Sequence, residues 1–135
     1  MTMEIKEHLL LVEDDDVDAM MMQRAIAKLR PGLRVVRAAN GIEAIELVAK
    51  ERPDLIVMDI RMPQMDGRET LALLKRDEVY REIPIIMMST SSAAEDVAFC
   101  YRNYSNAYML KPASGDDSIT AVEKLLTFWF DAALI

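Results

Sequence analysis

The chain has 135 residues, 52% hydrophobic and 29% charged, which fits one domain with its own core rather than a disordered segment. One cysteine, Cys100, and one histidine, His8, exclude a disulfide framework, a thiolate metal cluster and a histidine-rich zinc site. With 16 basic residues against 23 acidic ones, a formal net charge of −7 argues against a nucleic-acid groove. No apolar run approaches the ~20 residues that cross a bilayer. The N-terminus, carrying Glu4 and Glu7, has no cleavable signal pattern, so the expectation is a soluble cytoplasmic protein without membrane contact.

Short apolar runs alternate with longer segments of helical period. His8 to Val12 is too short and too apolar for a surface helix and reads as a strand covered on both faces. Glu13-Asp14-Asp15-Asp16 follows it, and from Asp16 to Leu29 the positions Met22, Ala25, Ile26 and Leu29 mark a helix stopped by Pro31-Gly32. Arg34 to Ala38 is a second strand. After the turn at Asn40-Gly41, a helix runs to Lys50 with Ile42, Ile45 and Val48 or Ala49 expected inward, and Pro53 closes it. Asp54 to Asp59 is a third strand, followed by a loop containing Pro63 and a helix from Asp66 to about Asp77 with Leu71 and Leu74 inward.

A fourth strand is predicted from Ile83 to Met88, ending in the hydroxyl run Ser89-Thr90-Ser91-Ser92. The next helix is expected to turn Ala94, Val97, Ala98 and Tyr101 inward. A fifth strand, Ala107 to Leu110, runs into Lys111-Pro112, and a last helix spans about Asp116 to Ala132. Five strands alternating with five helices predict an α/β fold, a (βα)5 unit with a parallel sheet between helical layers, because parallel strands need crossover connections. No repeat or linker interrupts residues 1–135, so one domain with no effector domain is expected. Most of the eleven methionines read as core filler, but Met20-Met21-Met22 cannot all face inward.

Ligands of open α/β sheets bind at the carboxyl ends of the strands. Asp14 and Asp15, Asp59, Ser89 and Lys111 all fall there. Each has a structural alternative: Asp14 and Asp15 as helix caps, Asp59 as a turn residue, Lys111 as a surface lysine, Ser89 as loop or cap. Their shared placement favours a site. Facing carboxylates repel unless a cation sits between them, and oxygen ligands without histidine or thiolate point to a hard ion, Mg²⁺ before Ca²⁺. A carboxylate in such a site can act as a nucleophile on phosphorus, with the cation and a lysine offsetting charge on the phosphoryl oxygens and a hydroxyl donating to them.

Leu11-Val12-Glu13-Asp14-Asp15, the stretch Asp59-Ile60-Arg61-Met62-Pro63-Gln64-Met65-Asp66-Gly67, and Lys111-Pro112 resemble the receiver domain of two-component response regulators. The resemblance covers essentially the whole chain, and the intervals between these motifs and Ser89 agree with it. It implies a flavodoxin-like, doubly wound three-layer sandwich with strand order 2-1-3-4-5. It also implies that Asp59 accepts a phosphoryl group from a histidine kinase or histidine phosphotransfer protein. Asp14 and Asp15 would hold Mg²⁺ with Asp59 and the backbone carbonyl of Arg61, and Lys111 would contact the phosphoryl group, positioned by a cis peptide before Pro112. Ser89 would be the switch hydroxyl, Tyr108 the switch aromatic, and the helix 4–strand 5–helix 5 face the output surface toward a downstream protein. Catalysis would be limited to the protein's own phosphorylation and dephosphorylation.

The chain departs from the family pattern in three places. Ser89 replaces the more usual threonine, Thr90 stands at the pocket rim where a small residue is usual, and Tyr104-Ser105 replaces Gly-Ala ahead of the fifth strand, leaving Asn103 as the candidate left-handed cap. The segment from Ser89 to Val97, the Cys100-Tyr101 pair and Phe128-Trp129-Phe130 are similar to small stand-alone regulators paired with bacterial phytochrome kinases. In the last helix Ile119, Val122, Leu126, Trp129 and Ala133 form one inward stripe, with Leu125, Phe128 and Ala132 off it. Tyr101, Leu125, Phe128 and Trp129 are therefore candidates for a partner or homodimer surface. Two alternatives stay open: a degenerate receiver acting as a constitutive binding module, and a small Mg²⁺-dependent phosphatase. Against the second, Arg61 occupies the position where such an enzyme places its second carboxylate.

Overall fold

The computed structural model describes residues 7–90, 93–111, 115–127 and 129, with the side chains of 115–119 left out. Five strands, β1 (His8–Val12), β2 (Arg34–Ala38), β3 (Leu55–Asp59), β4 (Ile85–Ser89) and β5 (Ala107–Leu110), alternate with five helices. These are α1 (Asp16–Leu29), α2 (Gly41–Lys50), α3 (Gly67–Arg76), α4 (Ala94–Arg102) and α5 (Gly115–Leu126). The strands form one parallel sheet in the order β2-β1-β3-β4-β5. This is the flavodoxin-like (βα)5 receiver architecture.

The near-continuous apolar runs of β1, β3 and β4 follow from helices on both faces of the sheet. Leu9, Leu11, Leu55, Val57, Ile86 and Met88 pack with Ile26 of α1 and Val122, Leu125 and Leu126 of α5. Their sequence neighbours Leu10, Val12, Ile56, Met58, Ile85 and Met87 point the other way, into a layer with Val48 of α2, Leu71 and Leu74 of α3 and Cys100 of α4. Met22 is buried, whereas Met20 is exposed, as the triple methionine required.

Helix starts follow side-chain chemistry. Asp15, Asn40 and Asp66 are N-caps whose side-chain oxygens accept from the backbone N–H three residues on. Asp77 ends α3 as its C-cap.

Several expectations about faces and ends are corrected. β4 starts at Ile85, after Pro84, which has no N–H to give a ladder. Leu29 and Ile42 are exposed, and α2 instead buries Ala44 and Val48. Helix α4 turns Asp96 and Cys100 inward, while Ala94, Ala98 and Tyr101 face out. Its apolar pattern misled because the buried position Asp96 is a carboxylate with arginine partners. Leu125 is not off the inward face of α5: it is buried with Val122, Leu126 and Trp129. The left-handed residue after α4 is Tyr104, at φ 66°, while the C-cap Asn103 keeps φ −99°. The cis peptide expected before Pro112, together with Phe128, Ala132 and Ala133, lies outside the described residues. Among the described residues, no helix is long and apolar enough to cross a membrane.

Candidate functional site

Parallel register decides which carboxylates meet. Val12 pairs with Met58, so the next residue of each strand, Glu13 and Asp59, emerges abreast at the carboxyl edge. Carboxylate oxygens of Glu13, Asp14 and Asp59 all lie within 4.8 Å of one another. Asp15 is not among them: its Oδ1 accepts from the Asp18 N–H at 2.8 Å and caps α1. The structure thus replaces the expected Asp14–Asp15–Asp59 set with Glu13, Asp14 and Asp59, and the capping alternative holds for Asp15. Glu13 and Asp59 are buried and Asp14 is exposed.

The loop bearing these groups is held from β2. Glu13 N–H donates to the Ala38 carbonyl at 3.0 Å. The Arg37 guanidinium donates back to the carbonyls of Glu13, at 3.0 Å, and Asp14, at 3.2 Å. Arg37 carried no signal in the sequence beyond being a charged residue in a strand.

Lys111 closes the site from the end of β5. Its backbone N–H donates to the Ser89 carbonyl at 2.8 Å. Its Nζ lies 2.5 Å from Glu13 Oε1 and 3.0 Å from both Asp18 Oδ2 and Asp59 Oδ2. Burial works against the ammonium, but hydrogen bonds to Glu13, Asp18 and Asp59 outweigh it and hold the lysine pKa above its ordinary value. Glu13 moves the opposite way for a carboxylate, pushed up to about 7. Burial is the main cause and the Asp59 charge adds to it, only partly opposed by Lys111. Three carboxylates against one ammonium leave an excess of negative charge, the condition a divalent cation relieves. The all-oxygen donor set suits such a hard cation.

Ser89, at the end of β4, is buried and shares a hydrogen bond with the Tyr108 hydroxyl. Burial raises the Tyr108 pKa and that hydrogen bond partly offsets the rise. Thr90 is exposed and lines the cleft over the site with Glu13, Asp18, Met21, Met22, Met88 and Lys111. The Arg61 side chain reaches the buried carboxylate of Asp96, 3.8 Å away. Arg68 reaches the same carboxylate at 3.6 Å and stacks over the Phe99 ring, 4.0 Å from its centroid.

The expected interface residues divide. Tyr101 is exposed, whereas Leu125 and Trp129 are buried in this chain's own core and are not available as a free surface. Asp18 is the site residue that sequence reasoning missed most plainly, because its helical position gave no hint that it reaches Lys111.

Residues 9–123 match the response regulator receiver domain, and the chain belongs to that family. Its site chemistry is accordingly a receiver's own phosphorylation and dephosphorylation rather than turnover of a separate substrate, with signalling through protein contacts. The chain is similar to the phosphorylated cyanobacterial phytochrome response regulator RcpA, with 32% identity and a TM-score of 0.91 over 96% of this chain and 98% of that one. It is also similar to the Mn²⁺-bound form of response regulator Rcp1, with 26% identity and a TM-score of 0.88 over the same shares of the two chains. A probable methanogenesis regulatory protein, FilR2 of Methanothrix harundinacea, is 32% identical over 127 residues, covering 90% of this chain and 82% of that protein.

Proposed function

We propose that Asp59 is the phosphoacceptor of a two-component phosphorelay, loaded by a sensor histidine kinase or a histidine phosphotransfer protein. The observation that carries this reading is Lys111 Nζ, 3.0 Å from Asp59 Oδ2 at the edge of the Glu13–Asp14–Asp59 cluster. A carboxylate oxygen of Asp59 attacks phosphorus, the N–P bond of the donor phosphohistidine breaks, and the imidazole leaves with the electron pair. Lys111 donates N–H bonds to the phosphoryl oxygens, and Ser89 gives its hydroxyl to the same group after releasing Tyr108.

Glu13, Asp14 and Asp59, with the backbone carbonyl of Arg61, would hold Mg²⁺. When bound, the ion neutralises the carboxylates and polarises the phosphoryl oxygens. Thr90 at the rim governs access of water to the aspartyl phosphate. The output is a changed α4–β5–α5 face read by a downstream protein, with exposed Tyr101 on it. Similarity to the cyanobacterial phytochrome response regulator RcpA supports a phytochrome-type kinase as the donor.

The test is intact mass after incubation with acetyl phosphate, with and without Mg²⁺, beside Asp59→Asn. One phosphoryl adduct that needs the cation and vanishes in the variant is expected. An adduct that persists in Asp59→Asn would refute Asp59 as the acceptor. No adduct, with no beryllofluoride binding either, would leave a constitutive binding module.

A further inference from the structure

We infer that Asp18 is a positioning residue that holds Lys111 in competition with the phosphoryl group and so sets how readily Asp59 is loaded; this rests on the reading of Asp59 as phosphoacceptor. A lysine ammonium has three N–H donors. Here Glu13, Asp18 and Asp59 stand at 2.5, 3.0 and 3.0 Å from Nζ, so every donor is engaged. A phosphoryl oxygen arriving at Asp59 must therefore take a donor from one of them.

The three partners differ in what release costs. The Glu13 side chain is 1% exposed and that of Asp59 8%, so until the Asp59 oxygen attacks phosphorus, release of either would leave a buried carboxylate short of a partner. The Asp18 side chain is 45% exposed and water replaces its lost bond. Asp18 is thus the partner that yields. It is also held in place: the Asp15 cap fixes the Asp18 N–H in the first turn of α1, and its carboxylate lines the cleft above Lys111. Before loading, Asp18 draws the ammonium toward α1.

The experiment is acetyl phosphate loading of the full chain with Mg²⁺, followed by intact mass across donor concentrations, for the parent, Asp18→Asn and Asp18→Ser. Each is also made in a Lys111→Ala background. Both substitutions are expected to raise the loading rate at low donor concentration by about threefold to tenfold, the scale of one ordinary net hydrogen bond at a half-exposed site. The gain should appear as a lower half-saturating donor concentration rather than a higher maximal rate, and should vanish without Lys111. Unchanged or slower loading in both variants overturns the inference. An equal gain in the Lys111→Ala background also overturns it, because charge alone would then act. Absence of any Asp59-dependent adduct in the parent would instead refute the phosphoacceptor reading itself.

Discussion

Gly67 approaches the backbone of Asp59 so closely that a Cβ on it would lie 2.1 Å from the Asp59 carbonyl oxygen and 2.8 Å from Ile60 Cα. The Gly67 N–H donates to the Ile60 carbonyl at 2.7 Å, folding the β3–α3 loop back on the end of β3. Neither clashing atom is the far end of a flexible side chain, so Gly67→Ala must move the segment that carries Asp59. We expect it to cost about 1–3 kcal/mol, as overpacking does elsewhere, and to weaken cation binding. Urea unfolding and cation titration check this, and a variant as stable as the parent would contradict it.

Cation binding should release a proton near neutral pH. Without cation, Glu13 sits at about 7, and ligation needs its carboxylate form. Affinity should therefore fall as pH drops below about 7, by up to about tenfold per unit, and level off above it. The folded Glu13 pKa exceeds its ordinary value, so in the cation-free protein the matching stability is present at low pH and lost as pH rises through about 7. Calorimetric titration at several pH values tests the first statement, and Glu13→Gln should flatten its pH dependence.

Ser89 and Tyr108 should show energetic coupling. Both Tyr108→Phe and Ser89→Ala remove their shared hydrogen bond, and each is expected to cost about 0.5–1.5 kcal/mol. The double variant should cost less than the sum, because the same bond is lost twice over. Strict additivity in urea unfolding would show that the bond contributes nothing.

Cys100 should be inert in the native protein. It is fully buried, and burial, with the Asp96 charge added, pushes its thiol pKa up to about 11. At pH 8, iodoacetamide should label it only as fast as the chain opens, so labelling should accelerate steeply with urea. Because the folded pKa lies above the ordinary thiol value, the associated stability is present below about 9 and lost as pH rises through about 11. Rapid stoichiometric labelling without denaturant would contradict the burial.

Leu125 and Tyr101 separate core from surface. Leu125→Ala should destabilise the fold by about 2–5 kcal/mol, since the side chain is 5% exposed. Tyr101→Ala, at a half-exposed position, should stay within about 0.5 kcal/mol in the same urea experiment.

The amino-acid pattern alone determined the element order, the parallel sheet and the strand edge where the polar groups collect. Alternating apolar strands and amphipathic helices permit few other arrangements. Asp59, Ser89 and Lys111 were legible for the same reason: each sits where a strand ends. The tertiary structure decided which of the four consecutive acidic residues from Glu13 to Asp16 belong to the site. A one-residue shift in a strand's register reverses the face to which each of its side chains points. Only the β1–β3 register and the Asp15 cap settle that Glu13 faces Asp59. Likewise, the inward faces of α4 and α5 depend on what each helix packs against. Asp96 is buried because two arginines from beyond β3 reach it, and Leu125 because the sheet face shared with α1 leaves room for it. Asp18 joins Lys111 across most of the chain's length, a contact that exists only once the sheet has closed.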